Sequence, residues 1–130
     1  MDCNVGRSNT RRLSALVVDD DATVRIIHVA HLKKHGFETY AVENGKLAVD
    51  LFRSGERFDV IFMDFNMPVM NGIEATRELR DLGVNAMIVG ISDDRDHTME
   101  EFIQAGMDQF YEKPIKAETV ISILRALQGN

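Results

Sequence analysis

The chain is short of cysteine, of long apolar runs and of basic charge, and each shortage removes a class of protein. Its single cysteine, Cys3, excludes an internal disulfide. It lies in a polar stretch and reads as a bystander thiol. No apolar run approaches the roughly 18 to 20 residues that span a bilayer. The opening run Met1-Asp2-Cys3-Asn4-Val5-Gly6-Arg7 lacks the apolar core of a signal peptide. The expected location is therefore the cytoplasm, with the nucleus added if the source is eukaryotic, and no membrane partner is expected. Fifteen basic residues stand against 21 acidic ones, a formal charge of −6. That balance argues against sequence-independent nucleic-acid binding, which rests on Lys and Arg neutralising phosphates. Arg7, Arg11 and Arg12 form the one basic cluster and read as a solvated lead-in.

What is present fits one folded domain. The 130 residues are 45% apolar, enough for a core but leaving no room for a separate output domain. Residues 1–12 read as a flexible tail, and the domain is expected over residues 13–128. From there short apolar runs alternate with helical patterns. Strands are predicted at 13–18, 37–42, 58–63, 87–91 and 109–112. Helices are predicted at 22–35, 45–53, 73–82, 96–105 and 116–127, with Gly36, Gly83 and Gly106 as stop signals. The stretch 37–42 alternates as an edge strand does. Five strand–helix repeats imply an α/β fold: a doubly wound parallel sheet with helices on both faces. Most methionines read as core and loop fillers, and Val120, Ile123, Leu124 and Leu127 as a stripe packed on the sheet.

Four of the five predicted strands run into polar residues of a particular kind. Val17-Val18 leads into Asp19-Asp20-Asp21, and Phe62-Met63 into Asp64. Gly90-Ile91 leads into Ser92-Asp93-Asp94, and Phe110-Tyr111-Glu112 into Lys113-Pro114. In a parallel sheet all strand C-termini share one edge, where ligands of such folds bind. Carboxylates, a hydroxyl and an ammonium should therefore converge. Gathered carboxylates repel unless neutralised. Mg²⁺ (or Mn²⁺) relieves that repulsion and leaves capacity for phosphate oxygens. Lys113 and Ser92 could then stabilise a transferring phosphoryl group, with one carboxylate as nucleophile. Any one of these residues alone reads more readily as a helix cap or turn former than as a site, Asp21 and Ser92 especially. The coincidence at four strand ends is what favours a site.

Three motifs carry a family resemblance: Leu16-Val17-Val18-Asp19-Asp20-Asp21, the run from Ile61 through Asp64 and Met67-Pro68 to Asn71-Gly72, and Glu112-Lys113-Pro114. With them the chain resembles the receiver domain of two-component response regulators. The resemblance implies a flavodoxin-like fold with strand order 2-1-3-4-5. It implies that Asp64 is the phosphoacceptor and that Asp20 binds Mg²⁺ directly. Asp19 would act through a metal-bound water, and Asn66 would offer its backbone carbonyl. Ser92 matches the switch hydroxyl, Phe110 the switch aromatic, and Lys113 the lysine that pairs with the acceptor; the Lys113-Pro114 peptide is expected to be cis. The implied partner is a sensor histidine kinase or a histidine phosphotransfer protein. The implied chemistry is Mg²⁺-dependent phosphorylation from phosphohistidine followed by self-dephosphorylation, so the chain is not an enzyme acting on other molecules. A monomer or weak homodimer is expected.

Asn66 and Asp94, two positions after the acceptor and the switch residue, could orient a water and shorten the phosphoryl lifetime. Asp93 departs from the small residue usual after the switch. Ala86-Met87-Ile88-Val89-Gly90 is similar to plant type-C single-domain regulators, which implies a role in draining a phosphorelay.

Three other readings compete. Asp19-Asp20-Asp21-Ala22-Thr23 fits the DxDx(T/V) pattern of haloacid-dehalogenase-type phosphatases. Lys113, however, is followed by Pro114-Ile115-Lys116-Ala117 rather than an acidic pair. A receiver that no longer takes phosphate and serves as a binding module is the second. The third is a metal site at His28, His31 and His35, which share helical spacing. The preferred reading of these histidines is that they are solvated or line a partner surface.

Overall fold

The computed structural model describes residues 12–92 and 99–129. Its elements, in order, are β1 (Ser14–Val18), α1 (Ala22–Lys34), β2 (Glu38–Val42), α2 (Gly45–Arg53), β3 (Val60–Asp64), α3 (Gly72–Asp81), β4 (Met87–Ser92), α4 (Met99–Ala105), β5 (Gln109–Glu112) and α5 (Ala117–Leu127). The five strands pair in parallel in the order β2-β1-β3-β4-β5. The tail expected at the start falls almost wholly outside the described residues, as do Asp93, Asp94 and the first positions expected of the helix at 96–105.

Side-chain alternation sorts the core into two layers. On β1, Leu16 and Val18 point to one face and meet Ile61 and Met63 of β3, together with Ala48, Ala75, Leu79 and Phe102 from α2, α3 and α4. Ala15 and Val17 point the other way and join Val60, Phe62, Val89 and Ile91 against Leu32 of α1 and Val120 and Ile123 of α5. Both faces are thus covered, which is why β1, β3 and β4 are near-continuous apolar runs. β2 lies at one edge and carries a mostly exposed pattern.

Several boundaries differ from expectation by one or two residues, and two of them have clear local reasons. Phe37 lies outside β2. Its N–H closes α1 on the Leu32 carbonyl at 3.1 Å, while Gly36 (φ 93°) bonds Lys33. That is a Schellman closure, which needs the left-handed residue glycine supplies. Phe58 precedes β3 instead of starting it. Its ring meets those of Phe52 and Tyr40 edge-on. The strand begins after Asp59, whose carboxylate holds the Ser14 N–H at 2.7 Å.

The helix starts aim the loops at the C-terminal sheet edge. Asp21 caps α1 by accepting from the N–H groups of Thr23 and Val24, so its role is the cap anticipated for it. Asn71 and Glu74 form a reciprocal capping box on α3. Arg80 of α3 reaches four partners: the carbonyls of Gly106, Val84 and Ala86, and the Asp108 carboxylate, which also accepts from the Ile88 N–H.

Gly72 shows how tightly α3 abuts β3. Its N–H bonds the Phe65 carbonyl at 2.9 Å. A Cβ there would overlap the backbone carbonyl of Asp64 and sit 3.1 Å from the Phe65 Cα. Neither is a flexible side-chain end, so Gly72→Ala should lower stability by about 3 kcal/mol or more in urea denaturation. Gly36→Ala, with nothing within 4 Å and only the positive φ to oppose it, should cost about 1 to 2 kcal/mol.

Candidate functional site

Strand register assembles the site. Val18 pairs with Met63, so the next residue on each strand, Asp19 and Asp64, stand side by side. Asp64 pairs with Ile91, which sets Ser92 one step beyond it. Ser92 pairs with Glu112, and Lys113 follows, its N–H bonded to the Ser92 carbonyl at 2.9 Å. The four strand ends therefore meet at one edge. Asp19, Asp64 and Ser92 are buried there, with at most 4% of their surface exposed.

Lys113 closes the cluster. Its Nζ lies 2.8 Å from Asp19 Oδ2 and 3.1 Å from Asp64 Oδ1. Asp20 is exposed beside them, and one carboxylate oxygen from each of Asp19, Asp20 and Asp64 falls within 4.8 Å of the others. Asp19 is held firmly: its Oδ1 accepts from the Asp21 N–H at 2.9 Å, and its carbonyl accepts from Arg25 at 2.8 Å.

The charges do not balance. Burial, and then the neighbouring Asp19 charge, push Asp64 up to about 6, although Lys113 pulls the other way. Burial disfavours the Lys113 ammonium, but its bond to Asp19 and the Asp64 charge outweigh that and raise its pKa. One ammonium among three carboxylates leaves the cluster anionic. An all-oxygen donor set with uncompensated negative charge suits a hard divalent cation such as Mg²⁺.

Asn66 is exposed in the loop after β3. Within that loop Val69 has φ 72°. Phe110 stacks on Phe102 with centroids 4.1 Å apart, and Phe102 meets Phe65 edge-on at 5.3 Å. The Lys113–Pro114 peptide is cis. Asp93 and Asp94 lie outside the described residues.

The histidine reading needs correction. His28 is not solvated: it is 1% exposed, and its Nε2 is taken up in accepting from the Ile115 N–H at 3.3 Å. His31 and His35 have ring centroids 5.4 Å apart, with His35 Nδ1 against the His31 carbonyl. Among the described residues, the acidic trio is the one group of three side chains close enough to share a cation. Sequence reasoning also missed Phe102 and Arg25.

The model of the response regulator receiver domain matches residues 15–125. The chain belongs to the receiver domain family. It is 42% identical over 117 residues to two-component response regulator 24 of Arabidopsis thaliana, covering 89% of this chain and 84% of that protein. It is 44% identical over 114 residues to the rice two-component response regulator ORR42, covering 87% and 85%. Among solved structures, it is similar to the receiver domain of the sensor histidine kinase PA1611 from Pseudomonas aeruginosa, at 28% identity and a TM-score of 0.79, over 92% of this chain and all of that one. That structure has a magnesium ion coordinated in its active-site cleft. With its strand order, the fold is the flavodoxin-like receiver fold, and receivers act with histidine kinases or phosphotransfer proteins. No helix of the described residues is long and apolar enough to cross a membrane.

The raised Asp64 pKa has a consequence for the metal-free protein. A group whose folded pKa exceeds its unfolded value favours folding below the unfolded value, and that contribution is lost as pH rises through the folded one. Above about pH 6 the Asp64 carboxylate is therefore a cost. Asp64→Asn should raise metal-free stability at pH 8 by on the order of 2 kcal/mol. The gain should shrink as pH falls from 6 towards 4, measured by urea denaturation in chelator.

Proposed function

We propose that the chain is a phosphoacceptor in a phosphorelay: Asp64 takes a phosphoryl group from a phosphohistidine of a kinase or phosphotransfer protein. The observation that carries this reading is the buried Asp64 carboxylate, 3.1 Å from Lys113 Nζ and within reach of Asp19 and Asp20. An Asp64 oxygen attacks phosphorus, the P–N bond breaks, and the donor imidazole leaves with the bonding pair. Water later attacks the acyl phosphate, returning the carboxylate and inorganic phosphate.

Asp19, Asp20 and Asp64 with the Asn66 carbonyl would hold Mg²⁺, which supplies positive charge against the phosphoryl oxygens. Lys113 already bridges Asp19 and Asp64, so it is positioned to follow the charge as it moves outward onto phosphorus. Ser92 offers a hydroxyl at the adjoining strand end. Phe110 then couples the Ser92 movement to the surface of α4, β5 and α5. A receiver of this kind catalyses only its own phosphorylation and dephosphorylation. Its location is the cytoplasm or nucleus.

Asn66 supports a short-lived phosphoryl state. It is exposed two residues past Asp64, where an amide can orient water and does not block it. Rapid loss of phosphate would let the chain drain a relay as a sink.

Mass spectrometry after acetyl phosphate and Mg²⁺ tests the acceptor. One phosphoryl group should appear on the wild type, and none on Asp64→Asn or with chelator. No adduct on a millisecond-quenched timescale would leave a binding module as the reading. Asn66→Arg should lengthen the phosphoryl half-life roughly ten-fold, followed by decay of the phosphorylated mass. An unchanged half-life would remove the argument for a sink.

A further inference from the structure

Lys113 is set by its backbone, and that backbone has few handles. In Lys113-Pro114-Ile115, proline has no N–H, so only two donors exist. The Lys113 N–H bonds the Ser92 carbonyl of β4 at 2.9 Å. The Ile115 N–H bonds His28 Nε2 of α1 at 3.3 Å, across 87 residues of sequence. Both donors of the segment carrying the ammonium are thus committed, one to the strand that bears the buried hydroxyl and one to an imidazole. Ile115 itself is buried against the α1 and α5 layer.

We infer that His28 is a positioning residue for the phosphoryl-transfer site, holding the Lys113 segment so that its ammonium stays between Asp19 and Asp64. The inference rests on the phosphoacceptor reading above for its effect on rate, but its geometric content does not. An imidazole can do this only with an unprotonated Nε2. Burial keeps His28 so: it lowers the pKa, the Asp19 charge opposes that, and the charges of Lys113 and His31 reinforce it. A leucine or methionine would fill the same volume yet leave the Ile115 N–H buried without an acceptor, and a buried donor without a partner pulls backbone toward water. The displaced residue would be two positions from the ammonium. Misplacing a positioned group by about 1 Å is enough to cost up to a hundred-fold in rate.

The test compares His28→Gln with His28→Met. The two side chains are close in size, but only the amide of Gln offers an oxygen near the place of Nε2. In metal-free protein, the ¹⁵N resonance of the Lys113 ammonium should shift in the Met variant and stay near wild type in the Gln variant. With acetyl phosphate and Mg²⁺, the Met variant should be phosphorylated roughly ten-fold more slowly, and Gln should restore most of the rate. Mg²⁺ affinity by calorimetry should rise in the Met variant and stay near wild type in the Gln variant, because a displaced ammonium no longer competes with the cation for Asp19 and Asp64. In a Lys113→Ala background, His28→Met should cause no further loss of rate. Should the Met variant fail to fold, His28→Asn replaces it, since its amide is too short to reach Ile115.

Equal behaviour of Gln and Met, or a Met effect that persists without Lys113, would overturn the inference. A wild type that takes no phosphoryl group while His28→Met still shifts Lys113 would sink the phosphoacceptor reading and leave the anchor standing.

Discussion

One ammonium facing two buried carboxylates organises this molecule. Lys113 touches both Asp19 and Asp64, yet Asp64 stays above its ordinary pKa. Placing two carboxylates in a low-dielectric edge is costly, and one cation does not offset it. The parallel sheet is what forces the encounter, since register alone places the ends of β1 and β3 together. The fold therefore holds negative charge in surplus at the point where strands end. Stability is given up there, and the surplus suits the edge to a divalent cation.

The supports around the cluster are backbone contacts more than side-chain ones. Asp19 is fixed through its carbonyl by Arg25 and through its carboxylate by the Asp21 N–H. Asp64 is followed by Phe65, whose N–H bonds the Ile91 carbonyl and whose carbonyl accepts from Gly72. Lys113 hangs from Ser92 and, through Ile115, from His28. Side chains that need freedom to exchange partners thus project from a main chain that has little.

Much of this was legible in the residues. Strands buried on both faces announce themselves as unbroken apolar runs, so β1, β3 and β4 and the polar residues ending them could be read directly. The edge strand β2 showed its alternation. Strand ends moved where a tertiary contact intervened: Phe37 was taken by the closure of α1, and Phe58 by a cluster of rings. His28 was illegible for a different reason. Helix α1 exposes Ile26 (70%) and Ile27 (51%) while burying an imidazole, so its apolar residues do not mark its inner face. The partner that explains His28 lies across the fold on the Ile115 main chain, and no local pattern points to it. The aromatic contacts of Phe102 were equally invisible, because they depend on where α4 sits.

The clamp made by Arg80 changes what α4 can do. It grips the Gly106 carbonyl just past the last turn of that helix and ties it to the α3–β4 connection. Phe102, one turn earlier, carries the stacked ring of Phe110. A helix gripped in this way at its C-terminal end is held against sliding along the sheet. Phe102 is the central residue of the seven-residue helix, three positions from Met99 and four from Gly106. The ring of Phe110 therefore bears on the middle of α4, so that its packing and the Arg80 grip hold the helix at two separate points.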